Sequence, residues 1–130
     1  MQLKNARILL TGASGGLGHE LASQLSTAGA ALLLAGRDER RLNEVRAALP
    51  EEAAVVVADL TSTDGIARTA RAAEQFRANV LINNAGAGVQ PGRLIADPPA
   101  AHIHRPCAIA VGVTPAHRAG KKIALERFQF

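Results

Sequence analysis

The sequence predicts an α/β fold in which a doubly wound parallel sheet carries helices on both faces. Two observations lead to this fold class. Short, continuous apolar runs recur along residues 1–90, and segments with an amphipathic helical pattern separate them. Strands buried on both faces form continuous apolar runs in a sequence, and parallel strands need crossover connections that are usually helical. The alternation therefore predicts a βαβαβαβ order.

Four apolar runs predict the strands. The first, "ARILLT", stops abruptly at Gly12, and the third, "AAVVVA", is rich in the β-branched valine that favours strands. No run has the length of a membrane-spanning helix, and the N-terminus does not resemble a signal peptide. The predicted strands are Ala6–Thr11, Ala31–Ala35, Ala53–Ala58 and Val80–Asn83.

Three intervening segments predict helices. In the first, leucines recur every four residues and so share one face, and Gly29 is a natural stop. The second begins at a plausible cap, Asp38, and ends before Pro50. The predicted helices span residues 16–28, 38–49 and 62–76.

The loop after the first strand has glycines where a phosphate-binding turn needs them. In "TGASGGLG", Gly12 allows a tight exit from the strand, Gly16 lets the backbone approach a pyrophosphate, and Gly18 lets the helix pack closely. N–H groups at the helix N-terminus then face the anion, and the hydroxyls of Thr11 and Ser14 are possible extra donors. A glycine-rich turn without a ligand is the alternative.

The end of the second strand, "LLLAGRDER", indicates which dinucleotide binds. In a doubly wound fold this position meets the adenosine ribose, where an acidic residue favours NAD. Arg37 stands there instead and is suited to a 2′-phosphate, so we predict NADP over NAD. The adjacent Asp38 weakens this inference, and the alternative is that Arg37 is one more solvated arginine beside Arg40 and Arg41.

Polar residues also follow the third and fourth strands. Asp59-Leu60 ends the third strand, where Asp59 either accepts from an adenine amino group or caps the next segment. "NNAG" ends the fourth, and its adjacent Asn83 and Asn84 need partners, because a buried amide without them is costly. Both segments lie at the sheet edge where ligands of open α/β sheets bind.

Taken together, Thr11-Gly12-x-x-x-Gly16-x-Gly18, Asp59-Leu60 and Asn83-Asn84-Ala85-Gly86 closely resemble the short-chain dehydrogenase/reductase family over residues 5 to about 95. The resemblance implies a Rossmann-like fold and an NAD(P)-dependent oxidoreductase acting on CH–OH or C=O groups. It also implies that the glycine loop carries the pyrophosphate, that Asp59 touches adenine, and that Asn84–Gly86 line the ribose side. The predicted cofactor-binding residues are Thr11, Gly12, Ser14, Gly15, Gly16, Leu17, Gly18, Arg37, Asp59, Leu60, Asn84, Ala85 and Gly86.

The catalytic residues implied by the resemblance are missing from the sequence. The family uses a Ser and a Tyr-x-x-x-Lys, in which Tyr transfers the proton and Lys lowers its pKa. This chain has no Tyr, no Ser follows Gly92, and neither Lys121 nor Lys122 follows a Tyr. We therefore predict no catalytic residue and expect a truncated or frameshifted member that binds NADP at most. The alternatives are a non-catalytic NADP-binding module, one subunit of a split enzyme, and a decayed product.

The composition changes near the start of the tail, which we define as residues 93–130. Residues 91–130 hold six Lys/Arg and two Asp/Glu, whereas residues 1–90 hold nine of each. We predict a dinucleotide-binding half at 1–92, truncated after about four strands, and an irregular, basic tail. Within the tail, a strand at 107–114 and a helix at about 115–128 are possible. If the tail leaves the fourth strand uncovered, the exposed sheet edge favours self-association.

Other functions receive less support from the sequence. His102, His104 and Cys107 lack regular zinc spacing, so we predict no metal site. The basic tail lacks the aromatic residues and motifs of nucleic-acid binding, and we expect neither nucleic-acid nor membrane partners. The single cysteine excludes an intrachain disulfide and agrees with a cytoplasmic location.

Overall fold

The computed structural model describes residues 3–85 and 110–113 of the chain. A short 3-10 turn at Leu3–Asn5 precedes the first strand. The strands within these residues are β1 (Arg7–Thr11), β2 (Ala31–Gly36), β3 (Ala54–Val57), β4 (Val80–Asn83) and β5 (Ala110–Val113). The helices in the same ranges are α1 (Gly16–Thr27), α2 (Glu39–Ala47) and α3 (Thr63–Phe76).

The strands form one sheet in the order β3-β2-β1-β4-β5. β1 lies in the centre and pairs in parallel with β2 and β4, and β2 pairs in parallel with β3. Strands β1 to β4 confirm the predicted four-stranded, doubly wound parallel sheet. β5 adds to the edge of β4 in the antiparallel direction, so the possible strand at 107–114 is confirmed at Ala110–Val113. The possible helix at 115–128 lies outside the described residues.

Helices cover both faces of the sheet, as the alternating pattern predicts. On one face Ile8, Leu10, Leu32 and Leu34 are buried in a core to which α1 contributes Ala22 and α2 contributes Leu42 and Val45. On the other face Leu9, Leu33 and Leu81 pack in a second core with α3. Successive strand residues point to opposite faces, so strands that enter both cores must be apolar throughout.

Local signals define the helix ends. Asp38 Oδ1 accepts a hydrogen bond from the backbone N–H of Arg41 at 3.1 Å, which confirms the predicted cap of α2. Ser62 Oγ accepts from Gly65 N–H at 3.0 Å and caps α3. Gly29, with φ +87°, follows α1 in a left-handed conformation that stops the helix. Arg77 ends α3 with φ 57°, an uncommon conformation for a residue with a side chain.

Side chains close the amino edge of the sheet, where the parallel strands begin. Arg7 Nε donates to the carbonyl of Phe76 at 2.6 Å, and the guanidinium lies 4.4 Å from the centroid of the Phe76 ring. Arg7 N–H donates to Asn79 Oδ1 at 2.8 Å, and Asn79 N–H donates back to the Arg7 carbonyl at 2.9 Å. These contacts tie the start of β1 to the end of α3 and the start of β4.

Candidate functional site

The candidate site lies at the carboxyl edge of the sheet. The loops that follow β1, β2 and β3 and the residues that follow β4 all leave the sheet at this edge, because these four strands are parallel. The structure therefore brings together the segments singled out in the sequence up to Ala85. Gly86 lies outside the described residues.

Position 12 requires glycine for two reasons, its backbone conformation and its close contact with the residues that follow β4. Its φ of +65° is a left-handed conformation that suits glycine. A Cβ at this position would lie 2.9 Å from both the Ala85 Cα and the Asn84 carbonyl oxygen. The tight exit from β1 thus depends on close contact with the backbone beyond β4.

Gly18 and Gly16 have different surroundings. A Cβ on Gly18 would overlap the Gly12 carbonyl oxygen and lie 2.8 Å from Ala13 Cα, so the close contact of α1 is with the loop itself. A Cβ on Gly16 would have no atom within 4 Å, and the nearest neighbour of one on Gly15 would be 3.5 Å away. Gly12 and Gly18 are therefore packed against backbone, a Cβ on Gly15 would be in ordinary contact with the loop, and Gly16 borders open space.

The N-terminus of α1 faces this open space without a side-chain cap. Its N-cap residue is Gly15, which has no side chain to accept from the first N–H groups of the helix. The first turn contains no acidic residue, and Leu17 is 50% exposed. The first turn of a helix has N–H groups with no carbonyl partner inside the helix, and it carries partial positive charge. This end of α1 can hold an anion.

Thr11 ties β1 to β4. Its hydroxyl donates to Asn83 Oδ1 at 2.8 Å and accepts from the N–H groups of Asn84 at 3.1 Å and Ala85 at 3.0 Å. The residue is only 2% exposed. The single hydroxyl hydrogen is thus used inside the protein, which differs from the expectation that it donates to a phosphate. Thr11 is a positioning residue for the two segments that border the site.

The two asparagines find their partners in the same place. Asn83 Oδ1 accepts from Thr11, and Asn84 Nδ2 donates to the Gly12 carbonyl at 3.2 Å. That carbonyl also accepts from the N–H of Gly15 at 3.2 Å. Both amides therefore have partners inside the protein, and the Asn84 amide bonds the glycine loop directly.

Ser14 and Arg37 border a depression above the end of β2. Its lining residues are Ser14, Arg37, Asp38, Glu39, Arg40 and Arg41. Asp38 faces the start of α2, where it accepts from Arg41 N–H and pairs with Arg41 Nε at 3.6 Å. Arg40 pairs with Glu44 at 3.0 Å. Among the described residues, no carboxylate lies within ion-pair distance of Arg37, which is exposed.

Asp59 shapes the turn between β3 and α3. Its Oδ1 accepts from the Thr61 hydroxyl at 2.7 Å and from the Thr61 N–H at 2.9 Å. These hydrogen bonds, with a smaller contribution from the charge of Arg37, lower the pKa of the carboxyl below its ordinary 3.8. The structure thus shows the turn-forming role for Asp59, and its carboxylate remains anionic at neutral pH. Leu60 is half-buried beside it.

Sequence reasoning missed two residues that organise this edge. Ser62 accepts from Gly65 N–H, and its hydroxyl donates to the Asp59 carbonyl at 3.0 Å. A Cβ on Gly65 would overlap the same carbonyl. The cap was detectable, because Ser62 precedes a helical pattern, whereas the close contact at Gly65 depends on tertiary structure.

In the part of the chain that the structure describes, no helix has the length and apolar character needed to span a membrane. No group of three or more His, Cys, Asp or Glu in residues 3–85 and 110–113 is placed to hold a metal ion. The residues weighed as metal ligands, His102, His104 and Cys107, lie outside these ranges.

Known proteins resemble the chain in sequence. A sequence model of the short chain dehydrogenase family matches residues 6–111, further along the chain than residue 95, where we expected the resemblance to fade. An uncharacterized oxidoreductase of Staphylococcus epidermidis is 38% identical over 87 residues. That alignment covers 65% of this chain and 38% of the relative. The chain thus spans well under half the length of this relative.

Solved structures show the same partial likeness. A metagenomic short-chain oxidoreductase in complex with NADP is similar with a TM-score of 0.60 and 34% identity, over 68% of this chain and 42% of that one. An NADPH-bound short-chain oxidoreductase from Pseudomonas aeruginosa with an atypical catalytic center has a TM-score of 0.59 and 32% identity. There the likeness covers 67% of this chain and 37% of that one.

Proposed function

The chain belongs to the short-chain dehydrogenase family, and from this premise we propose that it binds a nicotinamide dinucleotide at the carboxyl edge of its sheet. The observation that carries the proposal is the contrast within the glycine loop. Gly12 and Gly18 are packed against backbone, whereas Gly16, where a Cβ would meet no atom within 4 Å, borders open space at the uncapped N-terminus of α1. A pyrophosphate placed there would accept from backbone N–H groups and meet the positive end of the helix.

The residues after β2 support NADP in preference to NAD. Asp38, which would repel a 2′-phosphate, is engaged with Arg41 at the start of α2. Arg37 lies in the same depression as Ser14, and no carboxylate of the described residues lies within ion-pair distance of it. A guanidinium can bind a phosphate with two hydrogen bonds. The two bound relatives were solved with NADP and NADPH, which agrees with this choice.

The remaining contacts follow the family pattern. One oxygen of the anionic Asp59 carboxylate accepts both hydrogen bonds from Thr61, so we propose that the other accepts from the adenine amino group. We propose that Leu60 lies beside the adenine and that Asn84–Gly86 line the ribose side. Thr11 acts indirectly, because its hydroxyl holds Asn84 and Ala85 in place. When bound, the cofactor would donate a hydride in its reduced form or accept one in its oxidised form.

We propose that this chain by itself does not transfer a hydride. The sequence contains no Tyr to serve as the family's proton donor, so the described residues support binding rather than turnover. A non-catalytic binding module and one subunit of a split enzyme both agree with this arrangement. A cytoplasmic location fits the single cysteine. An absorbance assay of NADPH with a panel of aldehydes and ketones tests this point, and measurable turnover by the pure chain would refute it.

Cofactor binding can be measured with NADPH fluorescence, because the chain has no Trp or Tyr. We expect Arg37→Ala to weaken NADPH binding about tenfold, as the loss of one charge-assisted hydrogen bond would. NADH binding should change by no more than about twofold, since it has no 2′-phosphate for Arg37 to contact. Arg40→Ala is the matched control, because it removes the same charge nearby from a residue already paired with Glu44.

The comparison separates three outcomes. A loss confined to Arg37→Ala and to NADPH supports the assignment of the 2′-phosphate. Equal losses in the two variants would reduce the effect to general electrostatic attraction and contradict it. No binding of either dinucleotide to the parent chain would overturn the proposed function as a whole.

A further inference from the structure

The edge of the sheet at β4 is covered by a strand from much later in the chain. Ala110–Val113 pairs antiparallel with β4, in the register Val80↔Val113, Leu81↔Gly112, Ile82↔Val111 and Asn83↔Ala110. The 26 positions 84–109 separate the two strands in the sequence. Every residue of β4 has a partner in β5, so the pairing covers the whole strand.

Without this pairing, β4 would be an exposed edge strand that favours association with another chain. The strand is "VLIN", and Val80, Leu81 and Ile82 are buried in the two cores. Its other side already pairs with β1. A strand with apolar residues and unpaired backbone groups along one side is a template for pairing with another chain. A second copy of this protein would offer the same apolar strand.

The sequence of β5 suits a protective role. "AVGV" has four residues and no charge, so it can pair with an apolar strand but offers only a short outer edge of its own. Gly112 stands in its interior, where glycine weakens a strand. Pro106 and Pro115 flank it in the sequence, and proline cannot donate a hydrogen bond to a growing ladder. Very short edge strands and nearby prolines are devices by which sheets avoid edge-to-edge association.

We propose that Ala110–Val113 is a protective edge strand that prevents β4 from pairing with β4 of a second copy of this chain. A strand on the same chain acts at an effective concentration of the order of millimolar. At micromolar protein, the intramolecular strand is thus favoured by about a hundredfold to a thousandfold over a competing copy of similar intrinsic affinity. This role is independent of dinucleotide binding.

The decisive variant is the double substitution Val111→Pro/Gly112→Pro in the full chain. Adjacent residues of a strand point their N–H groups in opposite directions, so one of the two prolines must remove a hydrogen bond to β4. Val111→Ala/Gly112→Ala is the matched control, since it keeps both N–H groups. Sedimentation velocity over a range of protein concentrations measures association, and hydrogen exchange of the Leu81 and Ile82 amides reports on the β4 edge.

We expect the proline variant to dimerise at a concentration at least about tenfold lower than the parent, and the alanine variant to behave like the parent. In dilute, monomeric samples, a β4 amide should exchange at least about tenfold faster in the proline variant, while the β1 and β2 amides keep their protection. Identical association of all three proteins would overturn the proposal. So would β4 amides in the parent that exchange as fast as in the proline variant, a result that does not depend on how the variant folds.

Discussion

The amino and carboxyl edges of the sheet, where the parallel strands begin and end, are held by similar interactions in different environments. At the amino edge, Arg7 and Asn79 join β1 to β4 through hydrogen bonds that are exposed to solvent. At the carboxyl edge, Thr11 joins β1 to the end of β4 through three hydrogen bonds, but it is only 2% exposed. Water can replace a partner lost at the first edge and cannot enter the second without disturbing the packing.

This difference teaches where the protein is stiff and where it tolerates change. A buried polar group left without a partner costs its full desolvation, whereas an exposed one is solvated again. The closed carboxyl edge therefore holds the glycine loop in one conformation. That rigidity agrees with a loop that presents backbone N–H groups to a ligand, because preorganised donors need no further ordering on binding.

The largest effect should come from breaking the packed part of the carboxyl edge. We expect Gly18→Ala to lower the free energy of unfolding by about 3 kcal/mol, because the added Cβ overlaps the Gly12 carbonyl and the loop must shift. Gly16→Ala should change stability by less than about 1 kcal/mol, since its Cβ meets no atom. Urea unfolding of both variants measures the contrast. Equal losses in the free energy of unfolding would show that close packing does not distinguish Gly18 from Gly16.

Removing the buried hydroxyl should rank second. Thr11→Val keeps the shape of the side chain but leaves Asn83 Oδ1 and two N–H groups without their partner, at an expected cost of about 2 kcal/mol. Thr11→Ser retains the hydroxyl and is the control. Urea unfolding again provides the measurement. A valine variant as stable as the serine variant would mean that water reaches this edge, and the contrast between the edges would fail.

Removing a side-chain hydrogen bond at the amino edge should lower the free energy of unfolding by less. Arg7→Ala removes a hydrogen bond to the Phe76 carbonyl and a contact with the Phe76 ring. We expect it to lower the free energy of unfolding by about 1 kcal/mol. The backbone hydrogen bonds between Arg7 and Asn79 are retained. If thermal or urea unfolding shows Arg7→Ala to be as damaging as Thr11→Val, burial is not what distinguishes the two edges.

The smallest effect concerns pH. The pKa of Asp59 is lowered in the folded protein, chiefly by the Thr61 hydroxyl, so its contribution to stability is present above the unfolded value of 3.8. It is lost as the pH falls through the lower, folded value. The stability difference between the parent and Asp59→Asn should therefore be constant near neutral pH and shrink below about pH 4. A stability difference that grows as the pH falls would contradict a lowered pKa of Asp59 in the folded protein.

Sequence patterns were sufficient for much of the architecture. The strand at Val80–Asn83 was predicted with its observed bounds, and the cap at Asp38 forms the expected hydrogen bond. Apolar runs, capping residues and glycine stops are local signals, because each depends on neighbours within a few positions. The same signals identified the glycine loop and the residues at the ends of β2 and β3.

What the sequence by itself determined is therefore the order of the elements and the set of polar and glycine residues at one edge of the sheet. Only the tertiary structure decided the role of each residue: Asn84 bonds the glycine loop, Thr11 joins β1 to the end of β4, Gly16 borders open space, and Ala110–Val113 pairs antiparallel with β4. The physical reason is separation along the chain. The partners of Thr11 are 72 to 74 residues away, and no local pattern records which distant groups will satisfy a hydroxyl or pair with a strand edge.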